Sequence, residues 1–193
     1  MLSDLAIIIL AAGSSSRLGH PKQLVMYEGE SLLRRSVKQA LQLSHNVFVV
    51  LGHEREACLF AISDLPVQML FNKNYAKGMG NSLSFGISHT ASFSQTLIML
   101  CDQPFIPLVH YQALLNFTCK DVIVASLYQQ EQKQAVPALF PQKYYVDLMK
   151  LDADKGAQAL LKHEKCLHVT LESAYTVDID TSEDVENYLR VSP

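Results

Sequence analysis

The chain has 193 residues, of which 49% are hydrophobic and 18% charged, and its formal net charge is −3. A chain of this size buries a full core, and this balance excludes a disordered polymer. The weak negative charge excludes a broad nucleic-acid surface, so an anion site must be a local pocket. No apolar run is long enough to span a bilayer, so no membrane contact is expected. Met1-Leu2-Ser3-Asp4 lacks the basic stretch of a secretory leader. Cys58, Cys101, Cys119 and Cys166 are scattered, with no CxxC pair, which suits free thiols in a reducing cytoplasm.

Leu5-Ala6-Ile7-Ile8-Ile9 reads as a buried first strand. It runs into Leu10-Ala11-Ala12-Gly13-Ser14-Ser15-Ser16-Arg17-Leu18-Gly19-His20-Pro21-Lys22, a loop of small residues carrying two cations. Small residues let backbone N–H groups close around phosphate oxygens. Arg17 can clamp phosphate through its planar fork, and Lys22 can act as a mobile point charge. No Gly-Lys-Ser/Thr ends the loop, so it is not a P-loop. Gly13 and Gly19 also lack the spacing of the dinucleotide fingerprint. The segment predicts a nucleoside triphosphate site. A loop cation makes few core contacts, so stability is expected to be insensitive to Lys22.

Ser31 caps a predicted helix to about residue 43, with Leu33, Val37, Ala40 and Leu41 on one face. A strand over 46–51, a helix over 54–63 and a strand over 67–71 follow. A helix is expected over 81–90, then a strand over 95–101 that ends at Asp102. Pro107 opens a helix to about Thr118, and a strand covers 121–126. Helices over 141–150 and 155–163, a strand over 166–171, a last strand over 175–179 and a helix from Thr181 complete the chain. This alternation predicts one Rossmann-like α/β domain over 1–193, with a mostly parallel sheet covered by helices on both faces. Ligands bind such sheets beyond the carboxyl ends of the strands, where the 12–22 loop, Asp102 and Asp180 all fall.

Asp102, before Gln103-Pro104, is a hard-oxygen ligand for Mg²⁺ or a cap for the next turn. Asp180 competes with Asp178 as second ligand, and strand alternation sends both to the same face. Asp180 or Thr181 also suits the N-cap of the final helix. Lys77-Gly78-Met79-Gly80-Asn81-Ser82 offers backbone groups and a hydroxyl to a nucleoside, or forms a plain glycine turn with a cap. His20 and His53 lack metal-ligand spacing and read as surface residues.

The motifs Leu10-Ala11-Ala12-Gly13, Arg17-Leu18-Gly19, Pro21-Lys22 and Gly78-Met79-Gly80-Asn81-Ser82-Leu83 occur in a familiar order. Leu100-Cys101-Asp102-Gln103-Pro104, Val136-Pro137-Ala138-Leu139-Phe140, Asp154-Lys155-Gly156-Ala157 and Asp178-Ile179-Asp180-Thr181-Ser182-Glu183-Asp184 continue it. Together they resemble the MobA-like NTP transferases of the molybdenum cofactor cytidylyltransferase type, across nearly the whole chain. The resemblance implies a nucleotide-diphospho-sugar transferase fold and transfer of CMP from CTP to molybdopterin. It implies that Leu10, Ala11, Ala12, Gly13, Ser14 and Ser15 wrap the triphosphate, with Arg17 on the β- and γ-phosphates. Lys22 would meet the α-phosphate region, Gly78 and Ser82 the nucleoside, and Asp102 and Asp180 would hold Mg²⁺. A transient contact with a molybdoenzyme or its chaperone would follow. Two departures are visible. Relatives that transfer a guanylyl group carry glycine where this chain has Ala12, and the added methyl favours the smaller pyrimidine. Many relatives carry a glycine where Gln134-Ala135 stand here. The alternatives are a guanylyl- or other nucleotidyl-transferase acting on molybdopterin, a sugar phosphate or another small phosphate ester, and a non-catalytic nucleotide-binding module.

Overall fold

The computed structural model describes residues 4–117, 121–153 and 156–189. The chain runs through β1 (Leu5–Ala11), a short hairpin of β2 (Met26–Tyr27) and β3 (Glu30–Ser31), α1 (Leu32–Leu41), β4 (Asn46–Leu51) and α2 (Arg55–Ile62). β5 (Gln68–Phe71), α3 (Met79–His89), β6 (Gln95–Leu100), α4 (Leu108–Leu115), β7 (Val124–Tyr128) and β8 (Lys133–Pro141) follow. The last elements are α5 (Tyr145–Leu148), α6 (Gln158–His163), β9 (Leu167–Leu171) and α7 (Ser182–Asp184), which continues as a π-helical turn over Val185–Leu189.

Seven strands form one sheet in the order β5-β4-β1-β6-β8-β7-β9. β8 runs antiparallel to both neighbours, and the other pairs are parallel. β1 lies between β4 and β6 and is buried along its whole length. Its alternate side chains feed two cores. Ile7 and Ile9 meet Leu33, Val37, Cys58, Ile62 and Leu114 on the face of α1, α2 and α4. Ile8 and Leu10 meet Leu83, Ile87, Leu148 and Leu161 on the face of α3, α5 and α6. Each such aliphatic side chain contributes roughly 1.5–3 kcal/mol by leaving water. Gly86 lets α3 sit this close, since a Cβ there would stand 3.0 Å from Val50 Cγ2.

The predicted α/β sheet covered on both faces is the observed one, with corrections. β8 was not anticipated; a proline inside a strand pattern lacks the N–H for the ladder and hides it from local reading. The structure accommodates Val136 and Pro137 in a bulge, where the register jumps from Ala125 opposite Ala138 to Ser126 opposite Ala135. The expected strand over 175–179 is absent. Ser173–Tyr175 is a 3₁₀ turn, and the place beside β6 is taken by β8. The expected helix over 141–150 is a 3₁₀ turn, Gln142–Tyr144, and the single turn of α5, because β8 runs on to Pro141. The strand expected over 121–126 is β7, which starts three residues later and ends two later. Thr118, Cys119, Asp154 and Lys155 lie outside the described residues.

His110 carries a pH prediction. It is 6% exposed, and its Nε2 lies 2.8 Å from Ser126 Oγ, which donates to Pro137 O at 2.7 Å. Burial pushes the imidazole down from 6.5 to about 4. Above pH 6.5 both folded and unfolded chains carry it neutral. As pH falls below that, the unfolded chain takes up a proton that the folded one refuses. Stability is therefore lost between about pH 6.5 and 4, amounting to roughly 3 kcal/mol for this group. Denaturant titrations of the parent and His110→Gln at pH 7 and 4.5 check this. The variant should show the shallower loss, and parallel losses would remove His110 as the cause.

Candidate active site

The loop after β1 is held from beneath by Gln23, which is 1% exposed. Its Nε2 donates to Ala11 O at 2.9 Å and to Gly13 O at 2.8 Å. Ser15, at φ 54°, accepts the Lys22 backbone N–H on Oγ at 3.0 Å. These bonds fold the loop so that Lys22 reaches Asp102, just past the end of β6. Lys22 Nζ bonds Asp102 Oδ2 and donates to Asp180 Oδ1 at 2.8 Å. Arg17 Nη2 donates to Asp180 Oδ2 at 2.8 Å. Burial opposes the charge on Lys22, but Asp102 and then Asp180 overcome it and hold the ammonium above its usual range.

Asp180 is available because other residues cap α7. Thr181 Oγ1 accepts the Asp184 N–H, and Asp184 Oδ2 accepts the Thr181 N–H in return. The neighbouring backbone is tied to the sheet by Ile179 N–H donating to Asp102 O at 2.9 Å. Ile179 is buried with Leu18, Val25, Leu32 and Leu189. Asp178 and Asp180 find different partners, and the strand expected to carry them does not form. Asp178 Oδ1 accepts from Gln103 Nε2 at 2.9 Å. Burial, then the charge of Asp102, push Asp178 up to about 6, with the Gln103 bond opposing them.

A cavity of about 540 Å³ opens beside these charges. Leu10, Ala11, Ala12, Gly13 and Ser14 line it together with Lys22, Gly78, Ser82 and Asp102. Ser15 does not line it but supports Lys22. Arg17 also stands outside, its side chain 71% exposed, and joins the group through Asp180. Ser82 is oriented by Asn72 Nδ2, which donates to its Oγ at 3.1 Å.

Sequence reasoning passed over Gln23 and Tyr75, read His53 as a surface residue, and named Met79 only as part of the 77–82 segment. Gln23, His53, Tyr75 and Met79 all line this cavity. The His53 backbone N–H donates to Ala12 O at 3.1 Å, and its ring lies 6.0 Å from that of Tyr75. Gly52 makes the approach possible: a Cβ there would fall 2.5 Å from Tyr75 Cβ and 2.8 Å from Ala12 O. The usable signal was Gly52-His53 directly after a buried strand, at the edge where such sheets bind ligands. His20 is exposed, as expected.

A second cavity of about 220 Å³ shares Leu10, Met79 and Leu100 with the first, and is lined by Gln103, Tyr128 and Asp178. The residues around Asp102 also fit a divalent cation. Asp102 Oδ1 is buried with no hydrogen-bond partner among the described residues. Asp102 and Asp180 already converge on one cation, Lys22 Nζ. Among the described residues no group of three or more His, Cys, Asp or Glu forms a cage. Two carboxylates with the rest of the shell left to other oxygens suit a hard divalent cation.

The fold that carries these two adjoining cavities is that of a nucleotidyltransferase. Residues 7–169 match the MobA-like NTP transferase domain, and the chain belongs to that family. It is 27% identical over 193 residues to the purine catabolism protein PucB of Bacillus subtilis, covering 93% of each. It is 32% identical over 92 residues to the molybdenum cofactor cytidylyltransferase of Escherichia coli, covering 45% of each. The crystal structure of Rv0371c from Mycobacterium tuberculosis superimposes with a TM-score of 0.85 at 22% identity, covering 98% of this chain and 99% of that one. The same protein was also solved in complex with manganese, and that structure superimposes with a TM-score of 0.82. No helix among the described residues is long and apolar enough to cross a membrane.

Proposed function

We propose that this protein is, over its whole length, a cytoplasmic nucleotidyltransferase domain that moves CMP from CTP to the terminal phosphate of molybdopterin, releasing pyrophosphate. The observation that carries this reading is Lys22, held between Asp102 and Asp180 next to the larger cavity. CTP takes the larger cavity and the acceptor the smaller one. An oxygen of the acceptor phosphate attacks the α-phosphorus, a new P–O bond forms, and the bond to pyrophosphate breaks. A phosphate monoester is largely ionised at neutral pH, its second pKa being about 6, so no general base is required. The protein supplies position and charge. Backbone N–H groups of the 11–15 loop surround the phosphates, Lys22 meets the α-phosphate region, and Arg17 reaches the β- and γ-phosphates. Asp102 and Asp180 would hold a Mg²⁺ ion, which would add positive charge near the phosphates. Gly78 and Ser82 meet the nucleoside. The product passes to a molybdoenzyme or its chaperone through a transient contact.

The choice of CTP rests on Ala12, which is 4% exposed and lines the cavity. One methyl in a pocket is worth about 1–3 kcal/mol, or 10- to 200-fold. Ala12→Gly is expected to raise kcat/KM for GTP by a factor in this range while leaving CTP use nearly intact. Competition between the two nucleotides measures it, and a parent enzyme that prefers GTP would overturn the cytidylyl reading alone. The test of the whole proposal is pyrophosphate release from each NTP with Mg²⁺ and molybdopterin. A sugar phosphate run in the same assay tests a different small phosphate ester as acceptor. Binding without turnover for every acceptor would leave a non-catalytic module.

A further inference from the structure

Gln103 follows Asp102 and is 3% exposed. Its Nε2 donates to Tyr128 Oη at 2.7 Å and to Asp178 Oδ1 at 2.9 Å. Tyr128 in turn donates its own hydroxyl hydrogen to Val136 O at 2.9 Å. The amide cannot be turned over, because its oxygen would then face a carboxylate and a hydroxyl whose hydrogen is committed. Gln103 Oε1 is thus the free end. It is buried and has no hydrogen-bond partner among the described residues. A buried amide oxygen left this way is costly unless a ligand or water donor meets it.

Gln103 itself lines the smaller cavity. Gln103, Tyr128 and Asp178 line that cavity as one hydrogen-bonded group. Much of the remaining wall is apolar, with Leu83, Ile98, Leu100, Val136 and Leu161. A polyol would press hydroxyls against those side chains. A flat heterocycle with an N–H edge would bury its faces against them and keep one donor for the amide oxygen.

We propose that Gln103 is the residue that reads the acceptor, its Oε1 accepting a hydrogen bond from an N–H donor of a flat heterocyclic phosphate ester. Tyr128 and Asp178 are positioning residues that fix the amide. This rests on the acceptor assignment above and deepens it: the amino-pyrimidinone edge of a pterin offers such donors. A site built to pair a donor rejects the analogue that lacks it, because its own polar group is then left bare.

The experiment is equilibrium binding of 6-hydroxymethylpterin to the full chain, beside analogues methylated at N3 and at the 2-amino group. The parent protein is expected to bind the unmethylated pterin roughly tenfold or more tighter than at least one analogue. Gln103→Met should bind all three alike, at the weak level, with CTP affinity unchanged. A variant that keeps the parent's preference overturns the proposal. If Gln103→Met does not fold, the parent protein alone decides, and equal affinity for all three ligands overturns it. Displacement of the pterin by N-acetylglucosamine 1-phosphate at equal concentration overturns the heterocycle class. Pyrophosphate release with molybdopterin, measured separately on the parent protein, reports on the transferase reading, so the two fail independently.

Discussion

Lys22→Ala is expected to lower kcat by roughly 10²-fold or more, the range for losing one preorganised charge aimed at a developing anion. Lys22 Nζ is held in place before any substrate arrives, by Asp102 and by Asp180 at 2.8 Å. It therefore needs little reorganisation to meet a phosphate. The substitution should also affect stability, against the expectation for a loop cation. The Lys22 side chain is 18% exposed and that of Asp102 9%, so the variant leaves a buried carboxylate without its cation. Breaking such a pair costs about 1–3 kcal/mol here, less than the 3–5 kcal/mol of a fully dry pair, because Asp180 remains partly open to solvent. Denaturant unfolding and steady-state kinetics on one preparation separate the two effects. Nucleotide binding should weaken less than kcat falls, because the lost contact acts mainly on charge formed during transfer. Unaltered kcat would remove Lys22 from the chemistry, whatever the stability.

The parts of this site that sit on regular elements were legible in the sequence. The run Leu5–Ala11 has no polar residue, so it had to be a two-sided buried strand, and its end fixed where the loop opens. Asp102 was visible for the same reason, one turn past another apolar strand. What could not be read are the features that depend on long-range pairing. β8 carries a proline and a bulge, so no local pattern announces it. Asp178 and Asp180 were read from strand alternation, and no strand forms there: a single bond, from Ile179 N–H to Asp102 O, stands where a ladder was expected. Gln23 and Gln103 look like ordinary polar residues after more obvious ones. Their importance lies in what their amides hold across the chain: the Ala11 and Gly13 carbonyls for one, Tyr128 and Asp178 for the other. The Gly52 position shows the same limit, since its need for hydrogen comes from Tyr75, which is distant in sequence.

Asp102→Asn is expected to keep the fold and abolish Mg²⁺-dependent turnover. Asparagine has nearly the same shape, and the backbone oxygen of residue 102 still accepts the Ile179 N–H. What changes is the buried Oδ1, which lacks a hydrogen-bond partner among the described residues, and the charge facing Lys22. An amide presents one neutral oxygen where the carboxylate presents two that share a negative charge, and it is a much poorer ligand for a hard cation. Asp180→Asn should fall in the same direction but less far. Its side chain is more open, and Arg17 already shares it. A Mg²⁺ titration of turnover, with metal binding followed by calorimetry in the absence of acceptor, tests both. The expected pattern is loss of metal binding in Asp102→Asn, a higher Mg²⁺ requirement in Asp180→Asn, and far-UV circular dichroism unchanged in both. Normal turnover of Asp102→Asn at low millimolar Mg²⁺ would place the metal elsewhere. It would also show that Lys22 needs no carboxylate at position 102, with Asp180 sufficing as its counter-ion.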